Sequence, residues 1–168
     1  ADDQSYLKPW RGRTSMVFLD RRPRKLSAAY VVHDDNGGTR LAITHLLDHG
    51  HRRIAFAGDS ITVPTTARRR TTYELTLFDG GVGMDPFLVS WGAHRVPVVP
   101  RLLALPDPPT AIFSANPSCS MPIVRQLHAA GRSEIVVLGF GDFPMADALT
   151  PPVSVVEQDP TELGNQAA

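Results

Sequence analysis

The chain has 168 residues, 17 basic and 17 acidic side chains, a formal net charge of zero and an apolar share of 42%. A neutral balance argues against a non-specific nucleic-acid binder, which needs a basic excess. No run approaches the roughly 18 apolar residues of a membrane span. The one cysteine, Cys119, excludes an intramolecular disulfide and favours a reducing compartment.

Residues 1–13 are polar and poorly patterned. Residues 14–19 (TSMVFL) read as a strand ending at Asp20, and the Pro and basic residues of 21–25 as a loop. Residues 28–32 form a second short strand. Asp34, Asp35 and Asn36 can cap the helix that follows. In that helix Ile43, Leu46 and Leu47 fall at helical spacing, Gly50 stops it, and residues 54–57 form a strand. A loop at 60–66 leads to a helix over about 67–79, ended by Gly80 and Gly81. Residues 87–90 are a short strand. The proline-rich stretch 91–109 holds at best a short helix at 101–105.

From residue 111 the same plan returns. Residues 111–114 (AIFS) form a strand, Ser118 or Ser120 caps a helix, and Ile123, Val124 and Leu127 keep its apolar spacing. Gly131 stops this helix and residues 135–140 form a strand ending in Gly and Asp. Pro151 and Pro152 break the chain, 153–156 is a strand, and Thr161 begins a last helix. Helix, Gly and continuous apolar strand, used twice, argue an α/β fold with a parallel sheet buried on both faces. Ligands in such sheets bind at the carboxyl ends of the strands, where Asp59 and Asp142 fall.

The order of motifs resembles the effector-binding region of LacI/GalR-family transcriptional regulators. The matching stretches are VFLDR (17–21), HDDNGGTRLAITHLLDHGHRRIAFAGD (33–59), TARRRTTYELTLFDGG (66–81), PTAIFSAN (109–116), IVVLGFGD (135–142) and LTPPVSVVEQDPTELG (149–164). The resemblance implies a periplasmic-binding-protein-like fold of type I, with parallel sheets flanked by helices and a ligand cleft between two lobes. It implies that residues 1–32 are a remnant of the amino-terminal lobe, 33–152 the carboxy-terminal lobe, and 153–168 a truncated return to the first. The helix-turn-helix, the hinge helix and the first β–α units of the family have no counterpart here, so the chain reads as a fragment. The expected function is an effector sensor that does no chemistry and needs no cofactor or metal. It takes a sugar-like ligand, touches DNA only through domains absent from this chain, pairs as a homodimer in the cytoplasm and has no membrane partner. The alternative is a sugar-binding protein of a transport system with the same fold.

The resemblance singles out four ligand-binding candidates: Asp20, Arg69, Asn116 and Asp142. Asp20 ends a strand, where it faces a cleft or pairs with Arg21 or Arg22. Arg69 takes the family's effector-binding position when Gly81 is the helix-ending Gly, with Arg70 the alternative by one residue. A guanidinium's five fixed donors suit vicinal hydroxyls or a carboxylate. Three basic residues at a helix start oppose the macrodipole by roughly 0.3–1 kcal/mol each, which hints at a purpose for Arg68, Arg69 and Arg70. The basic residues crowded between Arg11 and Lys25 read instead as solvated surface. The Asn116 amide both donates and accepts, which suits a polyol, and it also suits a helix cap before Pro117. The chain departs from the family twice: Pro117 stands where an Asp is usual, and Gly141 replaces the first Asp of GFDD, leaving Asp142 as the candidate acceptor. Trp91 could stack on a sugar face or serve as core.

Three other groupings are set aside. His45 and His49 at i, i+4, with His51 nearby, lack the acid and third ligand of a metal helix. Gly58-Asp59-Ser60 is not a nucleophile elbow. Cys119 near a helix start reads as a small apolar side chain.

Overall fold

A computed structural model describes residues 4–168, so the first three residues of the expected 1–32 remnant lie outside it. In chain order the elements are a 3-10 helix at Ser5–Trp10, strand β1 (Val17–Leu19), β2 (Ala29–Val31), helix α1 (Asp35–Asp48), β3 (Ile54–Ala57) and α2 (Pro64–Asp79). Then come a 3-10 turn at Pro86–Leu88, β4 (Val89–Ser90), α3 (Val99–Leu103), β5 (Ala111–Ser114), α4 (Pro117–Ala129), β6 (Val136–Phe140), β7 (Ser154–Val156) and α5 (Pro160–Asn165).

The chain divides into two compact units. One comprises residues up to 34 together with 158–168; the other is 35–157. In the first unit β1 and β2 pair in parallel, with Phe18 opposite Tyr30. Val17, Leu19 and Tyr30 of this ribbon stay exposed. The Asp159 side chain caps α5 by accepting from the Thr161 and Glu162 amides.

The second unit is an all-parallel five-stranded sheet in the order β4-β3-β5-β6-β7. Every residue of β3 and β5 is buried, which is why their sequences are continuous apolar runs. Alternation sends Ile54, Phe56, Phe113 and Phe140 to one face, against Ile43 and Leu46 of α1 and Tyr73 and Leu77 of α2. It sends Ala55, Ala57, Ile112 and Val137 to the other, against Val99 and Leu102 of α3 and Ile123 and Leu127 of α4. The buried Tyr73 hydroxyl is satisfied by donating to the Ile54 carbonyl at 2.7 Å. Gly50 and Gly131 take φ +86° and +64°, the left-handed turns expected after α1 and α4.

Several boundaries differ from the sequence expectation. Helix α2 starts at Pro64, because proline fits the first helical turn without a polar cap; its N-cap, Val63, makes no side-chain bond. The cap of α4 is Asn116, not Ser118 or Ser120. Pro117 occupies the first turn and forces the residue before it to be extended, and Asn116 has φ −166° and ψ 164°. Strand β4 shrinks to two residues because the Asp85 side chain accepts from the Phe87 amide and winds 86–88 into a turn. Helix α3 sits at 99–103, with proline in its first turn. The segment expected to return to the first lobe at residue 153 instead continues this sheet: β7 pairs with β6, Phe140 opposite Val156, and the division falls after Glu157. Its side chains explain this, since Val153 packs on one face of the sheet and Val156 on the other.

Candidate functional site at the carboxyl edge of the sheet

Parallel strands deliver their following residues to one edge. Here that edge gathers Gly58 and Asp59 after β3, Trp91 after β4, Ala115 and Asn116 after β5, and Gly141 and Asp142 after β6. Both α1 and α2 begin beside it, which brings Asp35 against the α2 arginines.

Arg69 is buried, only 5% exposed, as is Asp35 at 4%. Its Nε and Nη2 lie 2.8 and 2.7 Å from Asp35 Oδ1, and its Nη1 donates to the Ala115 carbonyl at 2.5 Å. The guanidinium carbon lies over the Phe140 ring, 3.6 Å from its centre. Arg68 takes the other carboxylate oxygen, Oδ2, with Nε at 2.9 Å and Nη2 at 2.6 Å. One carboxylate thus serves two arginines, one oxygen each. Such charge-assisted, desolvated bonds fix geometry strongly. Arg70 turns away: Nη2 pairs with Glu74 Oε1 at 2.5 Å, and the guanidinium carbon lies 5.9 Å from the Trp91 ring centre.

Asn116 Oδ1 accepts from the Cys119 amide at 3.1 Å and the Ser118 hydroxyl at 2.7 Å, so this oxygen is the α4 cap. Asp142 is exposed, with Oδ1 accepting from the Phe143 amide at 2.8 Å. It borders a cleft of about 730 Å³ with Met145, Asp147, Val155 and Glu157. Asp59 Oδ1 accepts from the Ser60 amide at 2.7 Å and the Thr66 hydroxyl at 2.6 Å. Gly58 beside it admits no side chain: a Cβ would stand 2.7 Å from Thr66 and 2.9 Å from Phe56. Trp91 is half-buried and packs edge-on against Phe56, 5.6 Å between ring centres.

Arg69, Asn116 and Asp142 all lie at this sheet edge, but the cleft that Asp142 borders is lined by residues 142–157 and includes neither Arg69 nor Asn116. Asp20 lies in the other unit, at the end of β1, with φ +63° and its amide donating to the Val31 carbonyl. Of the two partners considered for it, Arg21 and Arg22, Arg22 stacks on Tyr30, 4.8 Å from its ring centre. Sequence reasoning missed Asp35, which it took only for a helix cap, and Phe140, which it took only for a strand residue. A weak signal existed: three consecutive arginines within one helix need a counter-charge, and Asp35 begins the preceding helix.

The residues set aside as nucleophiles are placed accordingly. Burial pushes the Cys119 thiol up to about 12, with Asp59 adding to the shift, so it stays protonated. The Ser60 hydroxyl is engaged with Thr62. Among the described residues no group of three or more His, Cys, Asp or Glu is placed to hold a metal ion.

Residues 43–168 match the family model of the periplasmic binding protein-like domain. The chain belongs to this family. Its relatives there are transcriptional regulators of LacI type. It is 32% identical over 142 residues to the HTH-type transcriptional regulator CelR of Thermobifida fusca, covering 80% of this chain and 42% of the relative. It is 28% identical over 155 residues to the HTH-type transcriptional regulator AscG of Escherichia coli, covering 88% and 46%. Among solved structures, a regulatory protein of the LacI family from Chloroflexus aggregans superposes with a TM-score of 0.84 at 24% identity, over 97% of this chain and 60% of that one. This periplasmic-binding-protein-like chain thus spans less than half the length of the curated relatives it matches.

Proposed function

We propose that this chain is the effector-sensing part of a LacI-type transcription regulator. The observation that carries this is the likeness to proteins named as HTH-type regulators, over most of this chain, together with the polar cluster at the sheet's carboxyl edge. A small sugar-like molecule binds at that edge, against Asn116, Asp142 and the Arg69 cluster. Ligand binding shifts the protein between states in proportion to its preference for one of them, and operator affinity follows. DNA is read by domains other than these 168 residues. The chain performs no catalysis and works in the cytoplasm; among the described residues no helix is long and apolar enough to cross a membrane. The transport-protein alternative has less support, since the relatives carry regulator names.

The regulator works as a homodimer. Support comes from apolar surface that water would otherwise cover: Val17, Leu19 and Tyr30 on the β1–β2 ribbon, and a groove of about 830 Å³ between α4, β6 and residues 149–154. Met121, Val124, Val136 and Leu149 line the groove, and Arg125 and Glu134 put both signs of charge on the same patch, as a two-fold contact needs.

The test is a mobility-shift assay on the intact regulator with its operator, with and without a panel of sugars and nucleobases. The proposal expects at least one compound to change operator affinity, and the 168-residue chain alone to show no sequence-selective binding. Operator affinity indifferent to every compound that the protein demonstrably binds would contradict it.

A further inference from the structure

The end of α1 carries a pair of imidazoles that the sheet-edge site does not use. His45 and His49 are one helical turn apart and both exposed, with ring centres 4.2 Å apart and planes tilted by 43°. His49 Nδ1 lies 2.8 Å from the His45 carbonyl oxygen. A carbonyl only accepts, so Nδ1 of this ring carries the proton and Nε2 of the neutral form keeps its lone pair. Metal-ligating histidines are held in this manner, one ring nitrogen donating to a fixed acceptor while the other binds the ion. Two histidines at i, i+4 on one helix face can close on a single ion at metal–nitrogen distances of about 2.0–2.1 Å.

We infer that His45 and His49 form a two-histidine site for a divalent transition-metal ion of the nickel, copper and zinc group, which clamps the last turn of α1. Imidazole favours these ions over magnesium and calcium. His51 lies beyond Gly50, off the i, i+4 spacing of the pair, with its ring turned to Thr110 (Nδ1 to Oγ1 2.9 Å), and is not part of the site. The site thus has two protein ligands, with water completing the coordination. Asp48 is the acid beside His49 in the chain. Arg52, which donates to the Leu47 and His51 carbonyls, is the opposing cation at this helix end.

Calorimetric titration of the chain with nickel chloride at pH 7.5, with magnesium chloride in parallel, tests the site. The expected result is one nickel ion per chain and no magnesium uptake. His45→Gln and His49→Gln should each lower nickel affinity at least about tenfold, while His51→Gln keeps it. Both histidines are exposed, so circular dichroism and thermal midpoints of the variants should match the wild type. Copper bound to the wild type should show coupling to two nitrogens by electron paramagnetic resonance. Absence of nickel uptake, wild-type affinity in both single variants, or an equal loss in His51→Gln would each overturn the assignment.

Discussion

Arg69 and Asp35 form a buried ion pair across α2 and α1, and the same guanidinium bonds the carbonyl of Ala115, one residue before Asn116. Through Phe140 it also packs on the residue that precedes Gly141 and Asp142. One side chain therefore ties the ends of two strands and the starts of two helices at the edge where ligand is proposed to bind. Arg69 is part of the framework whether or not it touches a ligand.

Folding should accordingly depend on this pair. From its place near a loop–helix junction, Arg69→Ala would be expected to cost no more than a surface substitution, about 0.5 kcal/mol. Its burial changes that expectation. Removing one partner of a buried pair strands the other's charge and typically costs ~3–5 kcal/mol. Arg68 still partners Asp35, so the loss in Arg69→Ala should fall near the lower end, about 3 kcal/mol by urea unfolding. Arg70→Ala, which breaks a partly exposed pair with Glu74 and a long contact with the Trp91 ring, should stay within about 1 kcal/mol of wild type. Equal midpoints for Arg69→Ala and Arg70→Ala would refute the structural role.

Asn116 gives a second, smaller effect. Its Oδ1 caps α4, and losing an N-cap costs about 1 kcal/mol. Asn116→Asp keeps an acceptor at the cap and should recover most of that stability, while lacking the amide donor available to a ligand. Denaturant midpoints for the two variants, measured beside ligand affinity, separate the roles: both should bind weakly, and only Asn116→Ala should be clearly less stable.

Acid should loosen the α1–β3 turn through His51. Burial holds its ring below the ordinary value of 6.5, and the neighbouring His49 and His45 add to the shift. The unfolded chain then takes up the proton first, so stability falls as pH drops below about 6.5 and levels off once the folded ring also titrates. His51→Gln should flatten that part of the stability curve between pH 7 and 5. An unchanged slope in the variant would show that other groups carry it.

The strands were the most legible part of this fold. The runs IAFA and AIFS announce burial on both faces, and Gly50 and Gly131 mark the helix ends before β3 and β6. What the sequence hid was set by distance along the chain. Strand β7 is three residues long, and only its pairing with β6 decides which sheet it joins. The start of α2 lacks a polar cap, and Pro64 in its first turn is the local mark that the sequence reading passed over. The Asp35–Arg69 pair spans 34 positions, and neither residue alone discloses the other. At the site, Asn116 was visible both as a cap and as a ligand candidate, and the structure gives its oxygen to the cap.

Association should be measurable directly. Sedimentation equilibrium is expected to give a dimer or larger species, and Val136→Asp, which places a charge in the α4–β6 groove, should weaken it. A clean monomer at high concentration for the wild type would remove the homodimer from the account.

The central claim is that a small ligand binds at the carboxyl edge of the five-stranded sheet. It is tested most directly by calorimetric titration of a compound found in a thermal-shift screen of the intact protein, where a ligand at 100 times its Kd should stabilise the fold by about 2.7 kcal/mol. The titration compares wild type with Asn116→Asp and Asp142→Ala, two changes at the edge that leave the Arg69 framework intact. Losing a hydrogen-bond partner to a buried ligand typically costs ~1–3 kcal/mol, so each variant should bind at least about fivefold more weakly. Wild-type affinity in both variants would place the ligand elsewhere and contradict the account.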